Sequence, residues 1–334
     1  MERRTVLRAA AAVAAPWLVR ARAQTRARRI GVLYPQAAFP FGSLADAADA
    51  WKRRGWIEGE TLLVERRYAG WRMGRMPELA DELLRQRSVE LLMAYGPEAA
   101  AAAARLTRKV PIVFLWAYLP IECGLIDSYH RPGRNCTGIA LNAGLEVVMK
   151  RIEFLRAIAP SARRIALISS DQSQLTLSGA PLDVWPTMTA AAQAQGFEST
   201  IHTVHRTEEV DPTLAEAAAA SAQVALISGS TLVGAASRVA EFALRQRWAT
   251  ATLSWELFDA GLLLFHGPTD ADGSNYNNDR WGQLADRILR GADPAEIPVE
   301  MPTRFALVLN LKTARGLGLS LPQSLLLRAD RVIE

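Results

Sequence analysis

The sequence predicts an α/β protein with two lobes, each built around a parallel β-sheet. Short apolar runs that suit buried strands alternate with stretches whose apolar residues recur at helical spacing. This alternation occurs twice, over residues 29–141 and again over residues 145–255. It is typical of parallel sheets that are covered by helices on both faces. A chain of 334 residues, half of them hydrophobic, is long enough for two such domains.

The first half of the chain contains five strand-like runs and three helical stretches. The run Arg29–Tyr34 is apolar and ends at Pro35, which suits a short buried strand. Ser43 is a suitable N-cap for the following helix, and Gly55 can end that helix. The predicted strands are residues 29–34, 61–68, 90–95, 111–116 and 136–141, and the predicted helices are 43–54, one that opens at 77, and 98–106.

The second half repeats this order. Its first helix, predicted over Glu146–Ala159, carries most of its apolar residues on one face. Gly316-Leu317-Gly318 is interpreted as a helix end, because it lacks the third glycine and the preceding strand of a dinucleotide motif. The predicted strands are residues 165–169, 197–204, 224–228, 251–255, 261–265 and 304–309, and the predicted helices are 146–159, 184–195, 214–222, 237–247 and 281–289.

Residues 1–23 have the pattern of a secretory signal peptide. A basic start is followed by eleven apolar residues and by Ala21-Arg22-Ala23, which matches an A-x-A cleavage site. Eleven residues span only about 16 Å as a helix, too short for about 30 Å of hydrocarbon. The pair Arg3-Arg4 favours a twin-arginine signal, but two neighbouring positions differ from the fuller motif, so Sec export stays open. We expect a soluble, exported, periplasmic protein without a lipid-attachment cysteine.

The charge of the chain belongs mainly to this segment. Residues 1–23 hold five arginines and one glutamate, which is a net charge of +4 out of the chain's +5. The remainder is therefore close to neutral and, beyond Arg26, Arg28 and Arg29 at its start, has no basic stripe of the kind that nucleic-acid binding needs. We expect no nucleic-acid partner, and we expect a monomer.

The sequence contains none of the common enzyme motifs. We find no G-x-S-x-G, no H-E-x-x-H and no Walker A loop. His202 and His205 lie three residues apart on a predicted strand and would point to opposite faces, so we expect no metal and no cofactor. Cys123 and Cys136 either pair, as an oxidising compartment permits, or remain two separate buried thiols.

Six stretches in order along the chain resemble the ABC transporter substrate-binding protein family of the tryptophan/tyrosine-uptake type. The likeness covers essentially the whole chain after residue 23. The stretches are GWIEG (55–59) with ERRY (65–68), MPELADEL (76–83), VPIVF (110–114), RPGRNCTG (131–138), PTRF (302–305) with LNLKTA (309–314), and LPQSLL (321–326).

The resemblance implies the type I periplasmic-binding fold, in which two Rossmann-like lobes are joined by three crossings and close on a ligand. It places the first lobe at residues 26–141 plus 266–297, and the second lobe at 142–265 plus 298–334. Residues 141–144 and 266–268 are suitable hinges, and a ligand would favour closure by contacts made only in the closed state.

The chain departs from the family pattern where the pocket is expected. The family commonly offers small hydroxyl residues at the helix start after the third strand, where this chain has Gly96-Pro97-Glu98. The free N–H groups at that helix start can still hold an anion, although Glu98 opposes an anion electrostatically. Glu98 can instead cap the helix or attract an amine. The scaffold is therefore kept while the pocket differs. The other departures are WAYLP (116–120), SSDQ (169–172) and FHGP (265–268).

Strand-end positions supply the candidate ligand-binding residues, because ligands of open α/β sheets bind at the carboxyl ends of the strands. Trp116, Tyr118 and Trp255 either stack on a flat ligand or pack in the core. Asp171 and Glu256 either pair with a ligand amine or cap helices at the surface. The ten candidates are Phe41, Tyr95, Gly96, Trp116, Tyr118, Asn142, Asp171, Ser230, Trp255 and Glu256.

These observations favour a periplasmic binding component that delivers a small solute, an amino acid or an aromatic or other small organic compound, to an ABC permease in the inner membrane. Two alternatives stay open. The first is a periplasmic hydrolase, which a nucleophile–base pair in the cleft would favour. The second is a receptor module that binds a solute and docks on a sensor protein.

Overall fold

The computed structural model describes residues 26–36, 43–141, 145–171, 176–178, 182–268, 278–302 and 304–334. The predicted signal peptide and the predicted hinge at 142–144 lie outside these ranges. Within them, no helix is both long and apolar enough to cross a membrane.

The first lobe is built on a five-stranded sheet in which all neighbours are parallel. Buried aliphatic residues fill its central strands, as expected for a sheet that is covered on both faces. The strand order is β2-β1-β3-β4-β5. The strands are β1 (Arg28–Tyr34), β2 (Leu62–Tyr68), β3 (Leu91–Tyr95), β4 (Ile112–Ala117) and β5 (Cys136–Ala140).

Four helices accompany this sheet, and one of them comes from late in the chain. The indole N–H of Trp281 donates to the carbonyl of Val113 in β4 at 2.9 Å. A Cβ on Gly282 would lie 2.8 Å from the Cβ of Ala50, so the first and last of these helices cross closely. The helices are α1 (Ser43–Arg53), α2 (Met76–Asp81, continued by a π-helical turn over Glu82–Gln86), α3 (Pro97–Leu106) and α10 (Asn278–Leu289).

The second lobe is built on a seven-stranded sheet of order β12-β11-β10-β9-β8-β6-β7. The pair β10 and β11 is antiparallel, and the other neighbouring pairs are parallel. The antiparallel pair arises because the chain visits the first lobe, where α10 packs, before it returns as β11. The strands are β6 (Arg164–Ser170), β7 (Glu198–Val204), β8 (Val224–Ser228), β9 (Ala249–Thr252), β10 (Leu264–Pro268), β11 (Phe305–Asn310) and β12 (Arg331–Ile333).

The second lobe also contains a helix whose two ends are fixed by local residues. The Asn310 side chain accepts a hydrogen bond from Thr313 N at its start, and Gly318 ends it in the left-handed conformation. The prediction of a helix end at residues 316–318 is thereby confirmed. The helices of this lobe are α4 (Leu145–Ile158), α5 (Trp185–Ala194), α6 (Val210–Ala219), α7 (Ser230–Val233), α8 (Ala236–Arg245), α9 (Trp255–Asp259), α11 (Leu311–Leu317) and α12 (Gln323–Leu326).

The predicted α/β class with two lobes is confirmed, and two predicted strands are wrong in part. The strand expected over 261–265 begins only at Leu264 and continues to Pro268. The strand expected over 251–255 ends at Thr252, whose hydroxyl accepts a hydrogen bond from Ser254 N at 3.0 Å and turns the chain. Trp255 therefore begins α9. The predicted lobe boundary after residue 265 falls inside β10, which pairs in the second sheet. The predicted boundary after residue 297 lies too early, because Glu300 still pairs with Ile139 in β5 of the first sheet.

Candidate functional site

A cavity of about 190 Å³ lies between the two lobes, at the carboxyl ends of their strands. The first lobe contributes the turns after β3 and β4, together with Trp71 after β2. The second lobe contributes the turns after β6, β8 and β9, and side chains from α4 and α5. This is the position at which open α/β sheets bind ligands.

Eight of the ten predicted site residues line this cavity, and their contact with a ligand stays a prediction. Phe41 and Asn142 lie outside the described residues. The residues that line the cavity are Tyr95, Gly96, Trp116, Tyr118, Asp171, Ser230, Trp255 and Glu256.

Aromatic rings from both lobes form much of the wall. Tyr95 contacts Trp116 with ring centroids 5.8 Å apart, and Trp255 contacts Phe265 at 5.3 Å. Trp116 has a φ of +63° at the point where the β4–β5 register shifts, an uncommon conformation for a residue with a side chain. Trp116 and Trp255 are each half-buried. One part of each side chain packs on its own lobe, and the other part lines the cavity.

Glu98 places a carboxylate at the start of α3, where a bound anion would otherwise sit. Its side chain is 5% exposed, and it also accepts from its own backbone N–H. Ser230 of the opposite lobe donates to Oε1 at 2.9 Å, whereas Oε2 is buried and has no hydrogen-bond partner within the described ranges. Burial raises the pKa of Glu98, because the charged form loses its hydration.

Two more carboxylates lie on the second-lobe side. Glu256, in the first turn of α9, is open to solvent on one side and surrounded by protein on the others, which raises its pKa. Burial raises the pKa of Tyr95 across the cavity, and the negative charge of Glu256 adds to this shift. Asp171, just after β6, lies 3.1 Å from the ring Nδ1 of His205.

Arg151 also lines the cavity, and the sequence interpretation did not select it. It lies in α4 and is only 2% exposed, and its Nε donates to the carbonyl of His266 at 2.8 Å. Desolvation lowers its pKa to about 10. The signal was available, because Arg151 interrupts the apolar face formed by Val148, Ile152 and Leu155.

Several serine hydroxyl groups near strand ends also line the cavity. The sequence predicted only one of these serines, Ser230. Ser170, at the end of β6, accepts a hydrogen bond from Thr231 N at 2.9 Å. Gly229 has a φ of +116°, and a Cβ there would lie 2.6 Å from Ser170 N, so only glycine fits this turn. Ser169, Ser228 and Ser254 also line the cavity.

The two lobes touch each other directly beside the cavity. Besides the bond between Ser230 and Glu98, Trp71 of the first lobe packs on Gly234 of the second. A Cβ on Gly234 would lie 2.7 Å from Cγ of Trp71, which leaves no room for a side chain. The arrangement therefore depends on a small residue at 234.

The two cysteines are free and buried, so the interpretation of two separate thiols is correct. Burial raises the pKa of both thiols to about 12, which disfavours the reactive thiolate. Within the described ranges, no group of three or more His, Cys, Asp or Glu side chains is arranged to hold a metal ion.

Comparison with known proteins identifies relatives of this chain. A family profile described as ABC transporter substrate binding protein matches residues 48–333. A tyrosine-binding protein of Clostridioides difficile is 24% identical over 115 residues, which is 34% of this chain and 32% of that protein. The chain thus matches about a third of the length of this curated relative.

Solved structures show the same architecture. An ABC domain from Streptococcus pneumoniae in complex with L-Trp is 20% identical with a TM-score of 0.76, covering 91% of this chain and all of the other. A conserved domain protein from Vibrio cholerae is 19% identical with a TM-score of 0.77, covering 92% of this chain and all of the other. The expected type I periplasmic-binding fold is confirmed by these similarities. Since the family profile spans most of the sequence, this chain belongs to the ABC transporter substrate-binding protein family.

Proposed function

We propose that the protein is the periplasmic solute-binding component of an ABC uptake transporter, and that its lobes close on a small solute with a flat ring. The observation that carries this proposal is the cavity between the lobes, with aromatic side chains on both walls and charged groups among them. Rings of Trp and Tyr bind flat apolar groups, and charges fix their orientation. An aromatic amino acid fits such a lining best.

The comparisons support the solute class without deciding it. One relative is named as a tyrosine-binding protein, and one structure of the same fold holds L-Trp. The remaining parts of the proposal rest on the family and on the N-terminal pattern. They are export by a signal peptide over residues 1–23, a monomer, delivery to an ABC permease, no nucleic-acid partner, no cofactor, and the two-lobe division apart from its boundaries at 265 and 297, which the strand pairing corrects.

Thermal unfolding of the purified protein against a compound panel tests this function. The panel contains amino acids, aromatic acids, nucleobases and sugars. A ligand at a hundred times its Kd stabilises the folded state by about 2.7 kcal/mol, which shifts the midpoint measurably. We expect a selective shift with ring-bearing compounds. A shift with sugars alone, or chemical turnover of a bound compound, would contradict the proposal.

A further inference from the structure

Arg151 is a buried cation that lines the cavity, and no carboxylate of the described residues pairs with it. Its single described hydrogen bond runs from Nε to the His266 carbonyl. Neither terminal amino group of the guanidinium has a partner, and Arg151 forms no ion pair, anywhere in the described ranges of the chain. A guanidinium presents its donors as a fork that matches the two oxygens of a carboxylate.

Among the described residues, the surroundings of Arg151 do not compensate its charge. The side chains that act on it electrostatically are Tyr118 and the ring of His266, whose pKa is lowered to about 4 and which is therefore neutral at neutral pH. Arg151 itself, with a pKa of about 10, stays charged there. A buried charge without a counter-charge costs free energy, and a bound ligand of opposite charge would offset that cost.

The other place for an anion in this cavity is already filled. The N-terminus of α3 attracts negative charge, but the carboxyl group of Glu98 already lies there. Its Oε2 has no hydrogen-bond partner in the described structure and can accept a hydrogen bond from a donor group of a solute. The first-lobe wall thus favours the donor end of a solute. The second-lobe wall offers Arg151 as its buried cation, although the more exposed carboxylates of Asp171 and Glu256 also line that side.

We infer that Arg151 binds the carboxylate of the transported solute, so that the solute is a carboxylic acid oriented with its acid group toward α4. This inference rests on the proposed function, since it assumes that the cavity is the solute site. Arg151 is then the residue that determines specificity for acids over neutral or cationic ring compounds.

The test compares L-tyrosine with tyramine, which lacks the carboxylate, by calorimetric titration. The proteins are the wild type, Arg151→Met, Arg151→Lys and the control Lys150→Met. Lys150 lies next to Arg151 on α4, carries the same charge, pairs with Glu153 and does not line the cavity. We expect Arg151→Met to weaken L-tyrosine binding about 30-fold or more and to leave tyramine binding unchanged. Arg151→Lys should fall between, and Lys150→Met should match the wild type.

Thermal unfolding without ligand separates a binding role from a structural one. An uncompensated buried cation predicts that unliganded Arg151→Met unfolds at the wild-type midpoint or above it. A lower midpoint would mean that Arg151 serves the fold through His266 and would overturn the inference, as would equal losses for L-tyrosine and tyramine.

The two proposals fail in different ways. If neither compound nor the wider panel binds the wild type, the proposed ring-bearing solute is wrong. The unliganded midpoint of Arg151→Met then decides the inference about the cation, with a rise supporting it and a fall overturning it.

Discussion

The two walls of the cavity differ in the polar groups that they present. The first-lobe wall is mainly aromatic and carries Glu98, a carboxylate held at a helix start with one oxygen unpartnered in the described structure. The second-lobe wall is rich in hydroxyl groups and carries Arg151, a guanidinium held by one backbone carbonyl, together with the more exposed carboxylates of Asp171 and Glu256. Each wall thus has a buried ionisable group whose hydrogen-bonding capacity its own lobe leaves incompletely satisfied.

This difference explains how a solute can favour closure. A ligand with a donor at one end and a carboxylate at the other satisfies both walls only when the lobes are together. The free energy of these contacts then appears in the closed state alone, which is what a hinge-type transition requires. The tryptophans on the two sides would hold the ring between these ends.

We expect the largest loss of ligand affinity when an aromatic side chain is removed from either wall. We expect Trp116→Ala and Trp255→Ala each to weaken binding of a ring-bearing solute about 30-fold or more, since buried aromatic anchors dominate binding energy. Calorimetric titration measures this loss. Trp185→Ala is the control, because Trp185 is half-buried in the second lobe and does not line the cavity. Unchanged affinity in both cavity variants would show that the rings serve only the core.

A variant that neutralises Glu98 tests the polar group of the first-lobe wall. Glu98→Gln keeps the size of the side chain and an acceptor for Ser230, but it removes the carboxylate. We expect about tenfold weaker binding of L-tyrosine, from the loss of one charged hydrogen bond to its amine. Binding of 3-(4-hydroxyphenyl)propanoate, which has no amine, should not change. Equal losses for the two compounds would argue against an amine at Glu98.

The contact between the walls can be weakened without touching the polar groups. In Gly234→Ala the new methyl group meets Trp71, which must shift away from the second lobe. We expect affinity to fall about fivefold, at the low end of overpacking effects because a tryptophan at the cavity edge can move. Gly74→Ala is the control, since a Cβ there meets nothing within 4 Å. If both variants bind alike, closure does not depend on this contact.

The smallest effect concerns pH and stability without ligand. The folded pKa of Glu98 is raised above its ordinary value of 4.5, so the native state binds more protons than the unfolded state above that pH. Wild-type stability should therefore fall relative to Glu98→Gln as pH rises from about 4.5 through the raised pKa. Thermal midpoints of the two proteins from pH 4 to pH 8 measure this difference. A constant difference would show that Glu98 does not titrate as its burial requires.

The sequence predicted the sheets and the strand-end part of the site because both depend on local patterns. Apolar runs identify the strands, and the residues that follow them, such as Tyr95, Trp116 and Ser230, reach the same edge of the lobes. The strand expected through Trp255 was wrong in part, because a single hydroxyl contact by Thr252 turns the chain early. Composition does not reveal such a contact.

The search of strand-end positions misses two residues that line the cavity, Trp71 and Arg151. Trp71 reaches the cavity from a loop, and its partner Gly234 belongs to the other lobe. Arg151 lies within a helix, and whether its face meets core or cavity depends on how α4 packs. Contacts between distant segments decide both positions, so a local pattern marks Arg151 only as a charge on an apolar face.

Titration of the wild-type protein with three related compounds tests most directly whether both walls bind the solute. L-Tyrosine has both charged ends, tyramine keeps only the amine, and 3-(4-hydroxyphenyl)propanoate keeps only the carboxylate. We expect L-tyrosine to bind at least about tenfold more tightly than either single-ended compound. If either single-ended compound binds as tightly as L-tyrosine, one wall contributes nothing to recognition, and the solute does not bridge the two walls.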